Sequence, residues 1–327
     1  QLLGVKEEEI VFTSGGTEGN NIAIKGIALE HRQRGKHIIT SEIEHPAVYD
    51  TCKSLEQLGF EITFLPVDQQ GVVSVDDVKK AMRDDTILVS LMHVNNEIGS
   101  IQPIAEVGKI VKDYPKCFFH VDDVQGLGKV PLDLKTSGID LCTFSGHKIH
   151  GLNGTGVLYI KQGTSLFPLH HGGQQEYTIR SGTENLAGAV SFAKALRLIK
   201  EREQADLPKL YNMQKRLREG LEAMEGVYIN TPLGAAPHMM NISVPGLKPE
   251  VVIHMLSEKG IYISTKSACS SKLAEESRIV KALGFSKERA SSALRISLSY
   301  DNTMDEIEEF LKVFKEVIQQ LKQMLKQ

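Results

Sequence analysis

A lysine, a carboxylate and an anion-binding turn are the groups in this 327-residue chain whose types and spacing point to chemistry. Ser14-Gly15-Gly16-Thr17-Glu18 lies between a β-branched run and an amphipathic one. Glycines there let the backbone approach a ligand, and a helix N-terminus favours an anion. The same turn also reads as a plain helix start capped by Thr17. Farther along, His120-Val121-Asp122-Asp123-Val124-Gln125 ends an apolar run, and Phe144-Ser145-Gly146-His147-Lys148 follows about twenty residues later. Pyridoxal phosphate (PLP) chemistry needs an amine that forms a Schiff base, an acid that keeps the pyridine nitrogen protonated, and ligands for a phosphate. Lys148, Asp122 and the Thr17 turn supply one role each. Taken singly, a loop lysine is usually solvated and a strand-end aspartate is usually a turn residue.

Open α/β sheets bind ligands just beyond the carboxyl ends of their strands, so such a sheet must hold these residues. The runs EIVFTS, KHIITSE, FEITFLPV, TILVSLMHV, CFFHVDD and DLCTFSG read as strands. They alternate with helical NNIAIKGIALEHR, AVYDTCKSLEQLG, VKKAMRDD and IAEVGKIVKDY, the pattern of a parallel sheet covered by helices. Several strands are apolar almost throughout, as expected when both sheet faces are buried. Residues 183–226 carry a long helical period with one proline and form a connector. Beyond it, strands VYIN, MMNISV, IYIST and ALRISLS mix with helices VVIHMLSEKG and EIEEFLKVFKEVIQQLKQML. The expected fold class is therefore α/β: a large domain over residues 1–205 with a mostly parallel, helix-covered sheet, and a smaller α+β domain over residues 206–327.

Composition bounds the partners. With 41% hydrophobic and 24% charged residues the chain can build a large core. A net charge of -3 and the lack of a basic block give no direct nucleic-acid partner. No apolar run approaches the roughly 20 residues that cross a bilayer, so no membrane partner is expected, and the opening residues lack a signal layout. A cytoplasmic or organelle-matrix location follows as the expectation. Cys52, Cys117, Cys142 and Cys269 are scattered without a CxxC pair, which suggests reduced thiols and no metal site.

Seven motifs, SGGTEGNN, SEIEHPAV, HVNNEIG, HVDDVQ, SGHKIHG, RSGTEN and SACSS, occur in an order that resembles the cysteine desulfurases. Those are fold-type I PLP enzymes of the class V aminotransferase-like group. The resemblance runs from residue 10 to the C-terminus, and the spacing from Cys269 through Ala282-Leu283-Gly284 to ALRIS is similar to the branch with the longer catalytic loop. It implies that Lys148 holds PLP and serves as the proton base, Asp122 pairs with the pyridine nitrogen, and His45 stacks on the ring and assists proton transfer. Gln125 and Asn96 would bind the PLP phenolic oxygen or the substrate. Gly16, Thr17, Ser145 and His147 would surround the phosphate. Thr183 would reach the phosphate site of a neighbouring subunit, implying a homodimer. Arg295 would clamp the carboxylate of L-cysteine, a task suited to its planar fork. Cys269 would take the sulfur as a persulfide, leaving alanine, and pass it to a sulfur-acceptor protein serving iron-sulfur assembly or tRNA thiolation.

Plainer readings stand beside these. His45, before Pro46, could neighbour a helix cap; Asn95-Asn96-Glu97 could be only a turn; Arg295 could balance an acidic neighbour. Selenocysteine lyase, a related β-elimination and a non-catalytic scaffold are the alternative functions. Two departures keep the scaffold reading open: Lys266, where the family commonly has a small residue, and Asp123, where it commonly has alanine. Adjacent strand residues face opposite sides, so Asp123 is expected to point away from the cofactor. The resemblance also implies a preceding YLDNAATT-like segment, and a chain without it would bind PLP but turn over cysteine poorly.

Overall fold

The computed structural model describes residues 1–265 and 276–325. The chain divides into two compact units, residues 1–67, 72–95 and 101–203 in one and residues 68–71, 96–100 and 204–327 in the other.

The first unit is built on seven strands: β1 (Ile10–Thr13), β2 (His37–Ser41), β3 (Glu61–Leu65), β4 (Thr86–Met92), β5 (Phe118–Asp122), β6 (Leu141–Ser145) and β7 (Gly156–Ile160). Their order is β1-β7-β6-β5-β4-β2-β3. The pairs β2/β3, β2/β4, β4/β5 and β5/β6 are parallel, while β7 runs against both of its neighbours. Reversing twice through β7 leaves β1 pointing the same way as β6. The ends of β1, β2, β4, β5 and β6 therefore open at one edge, and the residues named for chemistry follow those ends. Strands β2, β4, β6 and β7 are buried along their whole length and β5 is buried except at Phe118, which explains their largely apolar sequences.

Helix α1 (Gly16–His31) packs on β4 to β7 and on α2 (Pro46–Glu56), burying Ile22, Ile24, Ile27 and Ala28. Each fully buried aliphatic side chain contributes roughly 1.5–3 kcal/mol. Helix α3 (Val75–Ala81) starts at Ser74, whose hydroxyl accepts the Asp77 N–H. Helix α4 (Ile104–Lys112) buries Ile104, Val107 and Val111 at helical spacing. Helix α5 (Leu186–Glu222) carries Pro208 in its interior, and the division between the units falls inside it.

The second unit has an antiparallel sheet of β8 (Tyr228–Ile229), β9 (Met239–Ser243) and β10 (Ala293–Ser297), in the order β10-β9-β8. Helices α6 (Pro249–Ser257), α7 (Arg278–Ala282), α8 (Lys287–Ser291) and α9 (Met304–Met324) accompany it. Thr303 and Glu306 cap α9 reciprocally, and Ile307, Phe310, Leu311, Phe314, Val317 and Leu321 form its buried stripe. The expected IYIST strand is reduced to one bridge between Ser264 and Arg295. Among the described residues no helix is long and apolar enough to cross a membrane.

Candidate active site

Thr13 at the end of β1 and Ser145 at the end of β6 both pair with Gly156, the first residue of β7. That register sets the turn before α1 beside the end of β6. A Cβ on Gly156 would lie 2.7 Å from the Gly15 Cα and 2.8 Å from the Phe144 carbonyl oxygen, so only glycine admits this approach. Gly15, with φ of 147°, is the N-cap of α1, and no side chain of the described residues caps the helix. This corrects the reading of Thr17 as cap: Thr17 lies one residue inside the helix and is exposed. The uncapped N–H groups and Ser14, Gly15, Gly16, Thr17, Ser145 and His147 border a cavity of about 370 Å3. Ser145 Oγ lies 2.8 Å from His147 Nδ1. Burial and then the nearby Lys148 lower the His147 pKa from its ordinary value.

Asp122 ends β5 and is 5% exposed. Its Oδ2 accepts the Asn20 amide at 2.7 Å and its Oδ1 accepts the Val124 N–H at 3.0 Å. Burial pushes this carboxyl up, while the His45 imidazole, the Val124 N–H and the Asn20 amide oppose the shift. A cation brought against Asp122 would draw it toward the ionised form. Gln125, 7% exposed, follows in the same turn. Lys148 is half-buried in a 3-10 turn over Gly146–Ile149, which His150 ends in the left-handed conformation at φ 65°.

His45 is itself the N-cap of α2, its Nδ1 accepting the Ala47 N–H at 3.1 Å. The plain capping reading is thus partly right, since Nδ1 is engaged at the helix start. Glu44 before it is fully buried, accepting the Ser41 hydroxyl at 2.6 Å and the Met92 N–H at 3.1 Å. Asn95 donates to the Ile43 carbonyl at 2.9 Å. These bonds fix the loop that presents His45 at the open edge of the sheet.

In the second unit, Arg295 donates from Nη1 to the Asn96 carbonyl at 3.1 Å, so these two residues stand together. Among the described residues the buried Asn96 side-chain Oδ1 has no hydrogen-bond partner. Glu97 accepts the hydroxyl of Ser277, the N-cap of α7, at 2.8 Å. Thr183 is exposed and follows Arg180, whose Nε donates to Glu18 at 2.9 Å. Cys269 and Lys266 lie outside the described residues. Burial pushes the Cys52, Cys117 and Cys142 thiols up, so none of these three is an available thiolate. Asp123 has a different partner from Asp122: its Oδ1 lies 2.6 Å from His93 Nδ1, whereas Asp122 is held by Asn20.

Asn20, Gly156 and the Glu18–Arg180 pair are positioning contacts to which the sequence reading attached no role, and Asn95 was read there only as part of a turn. Asn20 and Asn95 lie inside motifs already quoted, so the signal was present without a role attached. The helix N-terminus, its cavity and the buried acid are of kinds that suit a phosphorylated pyridinium.

Comparison with known proteins identifies the family. The Aminotransferase class-V family model matches residues 1–310. The NifS/IcsS protein homolog of Lactobacillus delbrueckii subsp. bulgaricus is 48% identical over 97% of this chain and 83% of its own. Cysteine desulfurase IscS of Methanosarcina thermophila is 46% identical over 98% of this chain and 80% of its own. A solved NifS-like protein superposes with a TM-score of 0.91 at 38% identity, covering 97% of this chain and 84% of that one. The chain belongs to the class-V aminotransferase family and, within it, to the PLP-dependent cysteine desulfurases.

Proposed function

We propose that the desulfurase reaction of this chain runs on Lys148, Asp122, His45 and Cys269, removing sulfur from L-cysteine to give L-alanine and a persulfide. Residues 1–205 are taken as the cofactor domain and residues 206–327 as the domain that carries Cys269. The buried Asp122, held by Asn20 at the carboxyl end of β5, is the observation that carries the reading. PLP bound by such an acid supplies an electron sink for the substrate's α-carbon.

The residues divide the work. The Lys148 amine takes the α-proton of cysteine, and His45 Nε2 is the group at hand to move a proton on the substrate. Arg295, beside Asn96, receives the substrate carboxylate, and the Asn96 Oδ1 accepts a hydrogen bond from cofactor or substrate. The α1 N-terminus, Thr17, Ser145 and His147 hold the phosphate, and Gln125 the phenolic oxygen. The Cys269 thiolate attacks the substrate sulfur: an S–S bond forms, the substrate Cβ–S bond breaks, and its electron pair stays on carbon. Protons then return to carbon, and alanine leaves. Cys269 is preferred as nucleophile because the other three thiols are buried.

Three finer statements complete the reading. Thr183, exposed on its own chain, reaches a second copy's phosphate site in a homodimer. The persulfide passes to an iron-sulfur scaffold or a tRNA-thiolation protein. A cytoplasmic setting suits a step that depends on a free thiol. The test is borohydride reduction of the yellow protein followed by peptide mapping. The cofactor should be fixed on Lys148, and fixation on any other lysine would overturn the assignment.

A further inference from the structure

Lys129 is a lysine buried to 5% exposure, although ammonium groups are seldom buried without partners. Its Nζ donates to the backbone carbonyl of Lys148 at 3.0 Å. Asp123 and His93, each 3% exposed, form a 2.6 Å hydrogen bond in the same region. Among the described groups, Asp123 interacts electrostatically with His93, Lys200 and Lys129.

The turn that carries these residues is shaped around them. Leu127 donates to the Asp123 carbonyl, and Lys129 and Val130 both donate to the Gly126 carbonyl, winding residues 123–130 into a compact bend. A Cβ on Gly126 would fall 2.1 Å from Asp123 Oδ1 and 2.5 Å from His93 Nδ1, so the pair occupies the space a side chain would need. The segment Asp123-Val124-Gln125-Gly126-Leu127-Gly128-Lys129 thus starts at a buried acid and ends at a buried ammonium.

What Lys129 holds is weak by itself. The Gly146–Ile149 turn is a single 3-10 turn, and the last carbonyls of any helix lack partners within it. An ammonium donor makes the bond to Lys148 charge-assisted and stronger than a neutral one.

We propose that Lys129 is a positioning residue for Lys148: its ammonium anchors the Lys148 carbonyl, and the buried His93–Asp123 pair is the counter-charge that keeps that ammonium inside the fold. The proposal rests on Lys148 being the lysine that PLP joins. Burial and the neighbouring Lys148 lower the Lys129 pKa to about 8, and Asp123 opposes that shift, consistent with a charge retained by its counter-ion. Asp123 therefore has a use where the resembled family commonly has alanine.

The test uses the PLP-free protein and two variants, Lys129→Met and Asp123→Asn. Amide hydrogen exchange is read across residues 146–151, and the rate at which added PLP becomes fixed to Lys148 by borohydride is read separately. Lys129→Met should speed exchange in 146–151 roughly tenfold, the usual effect of losing one charged hydrogen bond, and slow fixation by a similar factor. Exchange in α1 and β2 should stay within about twofold of native, which a general loss of structure would not allow. Asp123→Asn keeps the volume and a hydrogen bond to His93, so its effect should have the same direction and smaller size. Native exchange in 146–151 of a folded Lys129→Met protein would overturn the proposal. Should Lys129→Met not fold, native exchange in Asp123→Asn would overturn it instead. If the native protein fixes no PLP on Lys148, the assignment of the cofactor lysine fails, while the exchange result still decides the role of Lys129.

Discussion

Replacing Gly156 by alanine tests how the sheet holds the phosphate turn. The added methyl would stand 2.7 Å from the Gly15 Cα, 2.8 Å from the Gly15 carbonyl carbon and 2.8 Å from the Phe144 carbonyl oxygen. These are backbone atoms that cannot swing aside, and each is about 0.6–0.7 Å inside ordinary contact. The turn at Ser14–Gly16 must therefore move off the end of β6. Overpacking of this kind costs about 1–3 kcal/mol of stability. It also misplaces the uncapped α1 N–H groups relative to Ser145 and His147. Losing one charge-assisted hydrogen bond to the phosphate costs about 1.5–3 kcal/mol, or roughly tenfold to a hundredfold in affinity. The assay compares PLP with pyridoxal, which lacks the phosphate, in titrations of the PLP-free native and Gly156→Ala proteins. PLP affinity should fall by at least about tenfold, and pyridoxal affinity should change less than about threefold. An equal loss for both ligands would show general disorder rather than a displaced phosphate turn. No loss for either would refute the argument from close approach.

Asp122→Asn should keep PLP bound yet lower alanine release roughly tenfold to a hundredfold, because a neutral amide no longer holds the ring nitrogen protonated; native turnover in steady-state assays would contradict the role of Asp122. Lys129, with a folded pKa of about 8 against 10.5 unfolded, makes the unfolded chain bind the extra proton between those values, so its cost is present below pH 8 and fades as pH rises to 10.5. Relative to Lys129→Met, the native protein should gain up to about 3 kcal/mol from pH 7 to 10.5 in urea unfolding, and a flat difference would contradict the buried ammonium. With Cys269→Ser, Ellman's reagent should find no fast thiol in the folded protein, since Cys52, Cys117 and Cys142 are 0%, 7% and 0% exposed; a fast-reacting thiol there would contradict their burial.

Much of the sheet was legible because a strand buried on both faces leaves a largely apolar run without polar alternation, as in Thr86–Met92 and Leu141–Ser145. GVLYI, which forms β7, has the same character but was passed over, because nothing in five apolar residues states their direction or partner. IYIST failed for the opposite reason. Its β-branched residues suit a strand, but Tyr262 is 81% exposed and only Ser264 finds a bridge, so propensity lacked a packing partner. The chemical residues stood out because Lys148, Asp122 and the glycine turn are of types that open sheets display at strand ends. Their supports did not: Asn20 meets Asp122 across 102 residues and His93 meets Asp123 across 30, separations on which local pattern is silent. Gly156 was invisible for a related reason, since its need for a bare Cα comes from two neighbouring strands.

The central claim is that sulfur leaves L-cysteine for Cys269 while alanine is released. A single-turnover experiment with the PLP-loaded protein and one equivalent of L-cysteine tests it most directly, by alkylating the products and mapping them by mass spectrometry. The account predicts alanine and a persulfide in equal amounts, with the extra sulfur confined to the peptide that contains Cys269 and absent from Cys269→Ser. Alanine with no protein persulfide, or a persulfide on Cys52, Cys117 or Cys142, would contradict it.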